Sequence, residues 1–435
     1  MRLLLPLLLA LVALPAAAQP DDDWDDDSWG DDDGWEEAAA PPVEIHGFAE
    51  GALSARVVAN SHQPGDFLLD EARFRLDVAR YADRADVQVK ADALADALTG
   101  GVAWDVRQAL VTLRPGGAVT LRAGRQVTTW GTGDLVFLND LFPKDFVAFF
   151  TGRDVEFLKA PANALRATLY RGSAGLDLVW TPRFTPDRYV TGERLSFFSP
   201  AAGRRVGLDD LGGPLVVLRP DAEVENGEVA ARLFGTFSGY EVAGYGYAGF
   251  TKQPVAFDPA AALPTFAPLS VVGASVRRPL LGGLSNAEIA YYDARADRAG
   301  DDPLAPNGQA RWLVGHEREI LSDVTLGLQY YAERALRYDR LLAASPTPAF
   351  EPSETRHVLT SRWTARARQQ TLTLSLFTFW SPTDGDAHLR PSVQHQWSDQ
   401  VALTLGGHLF FGPQHTLFGQ FEDDTSVYAR ARFSF

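Results

Sequence analysis

The 435-residue chain has no cysteine, a single methionine and no run of 18 consecutive apolar residues. Without thiols there is no disulfide scaffold, no lipoprotein anchor, no thiolate metal site and no covalently attached c-type haem. Without a long apolar run no helix can stay across a bilayer. Basic charge is in deficit, with a net charge of −16, so nucleic acid is not a partner this composition suits. The eight histidines (46, 62, 316, 357, 388, 395, 408, 415) are scattered, and no motif sets one beside a nucleophile. A hydrolase would need such a constellation. The chain therefore reads as a non-enzyme that requires no cofactor and no metal.

What is present begins with an export signal. Residues 1–18, MRLLLPLLLALVALPAAA, combine one arginine, a short Leu-rich stretch and a small-residue end, the pattern of a signal peptide cleaved before Gln19. An acidic leader follows over 19–42. Residues 21–37 (DDDWDDDSWGDDDGWEE) hold nine Asp and two Glu around Trp24, Trp29 and Trp35. Charge of one sign at this density keeps a chain extended and solvated. The segment suits a disordered periplasmic spacer, or a docking tail with tryptophans as anchors for a periplasmic partner. It lacks the Gly and terminal Glu spacing of an EF-hand loop. Taking away its −11 and the +1 of Arg2 leaves only −6 for the rest of the chain.

From Val43 onward apolar and polar residues alternate with period two, the mark of strands with two different environments. The pattern predicts eighteen strands, at 43–57, 67–82, 85–97, 102–115, 118–131, 158–171, 174–184, 227–237, 240–251, 267–280, 283–294, 309–320, 322–335, 355–369, 370–381, 386–397, 400–412 and 424–435. Their connections alternate in length. Every even one is a tight turn, such as Ser238-Gly239 or Leu281-Gly-Gly283, while most odd ones are long, including 132–157 and 185–226. A β-sandwich has no reason to segregate loops by parity. An all-β, transmembrane, antiparallel up-and-down barrel of about 18 strands (16–18) does, with both termini on the short-turn, periplasmic rim.

The polar faces agree. Glu71, Arg73, Arg75 and Asp77 oppose Ala72, Phe74, Leu76 and Val78, and Asp86, Gln88, Lys90 and Asp92 oppose Val87, Val89, Ala91 and Ala93. A mid-bilayer Arg or Lys on the lipid face costs roughly 2–4 kcal/mol, so the charged faces line a wet lumen. Its expected wall is rich in arginine: Arg73, Arg75, Arg122, Arg166, Arg232, Arg356, Arg362, Arg366, Arg368, Arg390, Arg430 and Arg432. Carboxylates at Asp86, Asp92, Glu317 and Glu333 fall on other strands, which would set a transverse field across the pore. The plainer use of the same arginines is a salt-bridge network that holds the barrel round. Trp104, Trp130, Trp180, Tyr292, Trp312, Trp397 and Phe411 sit where interfacial girdles would. Arg125 and His395 break the alternation, which points to a slipped or bulged strand. Loop 132–157 is too apolar for water, so it is expected to fold inward or cap the mouth. Loop 185–226 is the second candidate constriction.

The closing strand 424–435, with Phe433 and the terminal Phe435 on its apolar face, resembles the last strand of a Gram-negative outer-membrane barrel. The resemblance implies that these phenylalanines are the signal read by the barrel-assembly machinery, and that outer-membrane lipid and lipopolysaccharide surround the protein. Leu121-Arg-Ala-Gly-Arg-Gln-Val-Thr-Thr-Trp-Gly131, followed by Phe142-Pro-Lys-Asp145, resembles porin-like proteins related to the alginate-export group, where such a strand leads into an inward-reaching loop. Those exporters line their pore with Arg and Lys for a polyuronate. The function this implies is a passive channel for small hydrophilic solutes, anionic ones among them. The alternatives are a scaffold or partner-gated export pore recruited through the acidic tail, and a barrel-type hydrolase. A TonB-dependent receptor would need a plug, for which 19–42 leaves no room. Neither permeant solute nor oligomeric state is marked in the sequence.

Overall fold

The computed structural model describes residues 43–435; the signal peptide and the acidic leader lie outside them. Eighteen antiparallel strands form one sheet. They are β1 (Glu44–Arg56), β2 (Phe67–Arg80), β3 (Ala85–Asp96), β4 (Val102–Gly116), β5 (Val119–Gln126) and β6 (Ala162–Arg171). β7 (Ala174–Thr181), β8 (Glu228–Phe237), β9 (Tyr240–Phe250), β10 (Pro268–Leu280), β11 (Gly283–Ala294) and β12 (Gln309–Leu321) continue the wall. β13 (Val324–Ala335), β14 (Thr355–Ala367), β15 (Leu372–Ser381), β16 (Asp386–Gln396), β17 (Val401–Phe411) and β18 (Ser426–Ser434) complete it. β1 pairs with both β2 and β18, so the sheet closes on itself.

The predicted strand number and the parity of the loops both hold. Tight turns arise where the chain can take left-handed backbone: Ser238 and Gly239 have φ of 50° and 78°, the pair of positive values that a two-residue hairpin turn requires. Two strands are shorter than the alternation predicts. β5 ends at Gln126 rather than near 131, because Gly124 at φ 125° breaks the pleat. A side chain there would collide with the Ala109 carbonyl oxygen, so only glycine fits. The break also resolves Arg125, whose Nε reaches the Val106 carbonyl beside lumen-facing Asp105. β6 starts at Ala162 rather than near 158, because Val155–Leu158 forms a 3₁₀ turn capped by Asp154. His395 keeps its register opposite Leu403 and does face outward; its ring packs edge-on against Trp397.

The outer face is the apolar one. Trp104 and Trp397 are 78% and 72% exposed, and Trp180 and Phe411 also face out. Trp130 and Tyr292 are corrections: each is only 7% exposed and lies inside the lumen, where long loops cover it. The long connection between β5 and β6, residues 127–161 (hereafter the inward loop), is responsible. It carries a short helix, α1 (Phe146–Thr151), whose N-cap Asp145 accepts from the Ala148 amide at 2.7 Å. Trp130, Phe142, Phe149 and Phe150 from this loop pack with Phe379, Phe410, Phe418 and Phe421 in one buried cluster. The apolar character of 132–157 thus has an inward destination, as expected.

The barrel seam ends on Phe435, whose amide donates to the Gly47 carbonyl while its own carbonyl accepts from the Gly47 amide, each at 3.0 Å. Its ring stacks on Phe74 at 5.9 Å between centroids. Replacing Phe435 with Ser should remove about 1 kcal/mol of aromatic contact at the seam. The expected outcome is a smaller fraction of heat-modifiable, folded barrel on unboiled gels.

Candidate functional site

The lumen wall and the inward loop form the candidate site. Eleven of the twelve expected wall arginines lie on strands of the barrel; Arg368 lies past the end of β14, in the tight turn before β15, and is no part of the wall. Most of the others are engaged. Arg73 Nη1 and Arg75 Nε donate to Asp92 at 2.7 and 2.6 Å, and Arg75 also reaches Glu156 of the inward loop at 2.7 Å. Arg166 and Arg232 share Asp177 at 2.7 and 2.8 Å. Arg356 bonds Asp384, with Asp386 and Glu333 at 3.6 and 3.9 Å. Arg362 donates to Asp134 of the inward loop at 2.8 Å. Arg430 pairs with Asp154 at 2.8 Å, and Arg432 with Glu50 and Glu156 at 2.8 and 2.9 Å.

The expected acidic wall is not opposed to the basic one. Asp92 sits among Arg73 and Arg75, Asp86 pairs with Arg114, and Glu333 lies 3.6 Å from Arg311. Glu317 stands on the inner face of β12 near Arg362, flanking Gly327. The carboxylates are interleaved with the arginines because neighbouring strands bring opposite charges side by side at about 5 Å, where pairing relieves the cost of confinement. Three arginines of the wall, Arg122, Arg366 and Arg390, take part in no ion pair among the described residues. Arg390 rests its guanidinium 4.3 Å from the ring centroid of Phe149, and its Nε has no hydrogen-bond partner. Arg366 on β14 and Arg390 on β16 thus leave unpaired positive charge on one side of the lumen, and Arg122 on β5 leaves it on another.

Several residues that hold the site were not anticipated. Glu288, 2% exposed on β11, receives Thr132 Oγ1 at 2.8 Å, the Gly133 amide at 2.9 Å and Asn139 Nδ2 at 2.7 Å, and so pins the start of the inward loop. Phe157 lies under three guanidiniums, those of Arg73, Arg75 and Arg107, at 4.1, 5.0 and 5.2 Å. Asp187, from the connection between β7 and β8, accepts the Lys144 amide and Gln253 Nε2, both at 2.7 Å, and joins three loops. Glu288 and Asp177 stand on inward strand positions and were legible from the alternation. Asp134, Asp154 and Glu156 belong to an aperiodic loop and carried no such signal. Between α1 and the β2–β4 wall lies a cavity of about 230 Å3, lined by Arg73, Asp105, Asp145, Arg153, Phe157 and Arg188 among others.

Among the histidines, His316 Nδ1 lies 2.8 Å from Ser285 Oγ. Both side chains are on the outer face, and His316 has no carboxylate partner among the described residues, so the pair lacks the third member of a hydrolytic triad. No group of three His, Cys, Asp or Glu able to hold a metal occurs among the described residues.

The sequence matches no protein-family model and no curated protein. The structure is similar to Gram-negative outer-membrane porins. OccAB3 of Acinetobacter baumannii aligns with TM-score 0.55 at 9% identity, covering 90% of this chain and 99% of that one. OccD3 (OpdP) of Pseudomonas aeruginosa aligns with TM-score 0.52 at 12% identity, covering 90% and 91%. OccAB1 of Acinetobacter baumannii gives TM-score 0.52 at 9% identity, covering 90% and 96%. The chain therefore has the fold of an outer-membrane porin, with an inward loop and a charged lumen.

Two outcomes test this account of the site. Glu288→Ala leaves the Gly133 amide and the Asn139 side chain without their acceptor, a loss of about 2–4 kcal/mol of loop anchorage. Limited proteolysis between residues 132 and 157 should then be faster than in the parent while the barrel stays heat-modifiable. Burial pushes Asp187 up to about 6, against the pull of Lys144. The folded group thus binds its proton more tightly than the unfolded one. The neutral form's stability is complete below about pH 4 and is lost as pH rises through 6, about 3 kcal/mol in all. Asp187→Asn should flatten the pH dependence of thermal unfolding between pH 4 and 7.

Proposed function

We propose that the protein is an outer-membrane channel for small hydrophilic solutes, with a preference for anions. The single observation that carries this reading is the set of unpaired arginines, Arg122, Arg366 and Arg390, on a lumen wall whose other charges are largely matched. An unpaired guanidinium in a narrow, partly desolvated passage attracts carboxylate, phosphate or sulfate groups and repels cations. The inward loop supports the same reading. It narrows an 18-stranded barrel that would otherwise be wide and weakly selective. Fold similarity to the outer-membrane porins is consistent with a channel.

The likeness of 121–131 and 142–145 to alginate-export proteins extends the proposal to polyanionic substrates. Its residues open the inward loop, where Trp130 meets Phe142 edge-on at 4.9 Å. Planar-bilayer recording under a KCl gradient tests the selectivity. The parent is expected to give a reversal potential on the anion side. The pair Arg366→Gln with Arg390→Gln should move it toward cations, and Arg368→Gln, in the turn, should move it far less. A cation-selective parent, or a double variant with an unchanged reversal potential, would sink the proposal.

A further inference from the structure

The acidic leader has no role in the lumen as described, and the short-turn rim of the barrel offers it a surface. We propose that residues 21–37 dock on the turns that join β2 to β3, β4 to β5 and β6 to β7, as an intrinsic counter-charge at that mouth. The chain enters the barrel at this rim: Glu44 pairs with Ala79, next to the turn that follows Arg80. The three turns form a continuous ledge, because the Arg114 amide donates to the Arg84 carbonyl and the Tyr170 amide to the Ala118 carbonyl, each at 2.8 Å.

The ledge carries Arg80, Arg84, Arg114, Arg122 and Arg171, all exposed, against Glu44, Asp83 and Asp86, the last of which already pairs with Arg114. Exposed Tyr81 and Tyr170 lie between them. The leader is the chemical complement of this surface: eleven carboxylates with Trp24, Trp29 and Trp35 interspersed. Carboxylate–guanidinium pairs and indole rings over guanidiniums are the contacts such an encounter makes. The turn between β12 and β13 on the far side repels it, since Glu317, Glu319 and Asp323 gather there around Arg318.

Reach is sufficient. The six residues from Glu37 to Val43 span up to about 20 Å, and the ledge extends about 25 Å from β1 to β6 at the usual strand spacing. Arg122 faces the lumen, so a docked leader offsets positive charge at the mouth, and its release raises anion preference. That consequence rests on the channel reading; the docking itself does not.

The absence of native cysteine permits a direct test in the full-length protein. Ser28→Cys combined with Ala82→Cys places one thiol in the leader and one on the ledge. Ser28→Cys with Ser322→Cys is the matched control on the far rim. Oxidative cross-linking is expected at least about tenfold faster in the first pair at low salt. It should fall toward the control rate in high salt, where charge attraction is screened, and with Arg80→Gln, Arg84→Gln and Arg171→Gln combined. Equal rates in the two pairs, or a rate indifferent to salt and to loss of the arginines, would overturn the proposal, as would cross-linking of the leader thiol only to another protein. In parallel, a leader with its aspartates changed to asparagine should shift the reversal potential further to the anion side. Ledge-specific cross-linking without conductance would refute the channel reading and leave the docking standing.

Discussion

Closure of the strand edge is the constraint on which the rest of this structure depends. A membrane offers no water to an unpaired amide or carbonyl, so a sheet within it must have no free edge. Here the last strand returns to the first in register from Arg56 opposite Ser426 to Phe48 opposite Ser434, and the terminal residue completes the seam against Gly47. Because the wall is closed, every second side chain has only two possible environments, lipid or lumen. The charged residues of neighbouring strands are thereby delivered to one enclosed space, and their chemistry follows from that confinement.

Confinement also explains the inward loop. A barrel of this strand number encloses more volume than its own side chains fill. The loop between β5 and β6 supplies what is missing, with an aromatic cluster on one side and charged contacts on the other. Its Asp134 faces Arg362, its Asp154 faces Arg430, and its Glu156 bridges Arg75 and Arg432. Glu288 and Arg107 then fix the two ends, the latter through the Lys159 carbonyl at 2.7 Å. The lumen arginines therefore fall into a paired set and an unpaired set. Arg73, Arg166 and Arg356 hold the wall together. Arg122, Arg366 and Arg390 stand outside every ion pair among the described residues.

The alternation of apolar and polar residues revealed the strands, their even number and the inward destination of loop 132–157. It also marked the polar faces, and eleven of the twelve arginines assigned to the wall lie on strands of the barrel. It misplaced Trp130 and Tyr292, because an aromatic near a strand end reads the same whether it meets headgroups or the underside of a loop. It overran β5 and β6, since Gly124 and the Asp154-capped turn end the pleat without ending the pattern. It set arginine and carboxylate on opposite walls, whereas Asp92 and Asp177 lie between the arginines they serve.

The division has a physical basis. Period two is a local property of an extended backbone, written into each strand by the side chains it carries. Ion pairing in the lumen is not local. Arg362 and Asp134 are 228 positions apart, and Arg56 and Asp424 are 368 apart, yet each pair is in hydrogen-bond contact. The sequence alone thus specified a closed barrel with a charged interior. Which charges cancel and which remain was set by the return of β18 to β1 and by the inward loop, because only those long-range contacts bring the partners within reach.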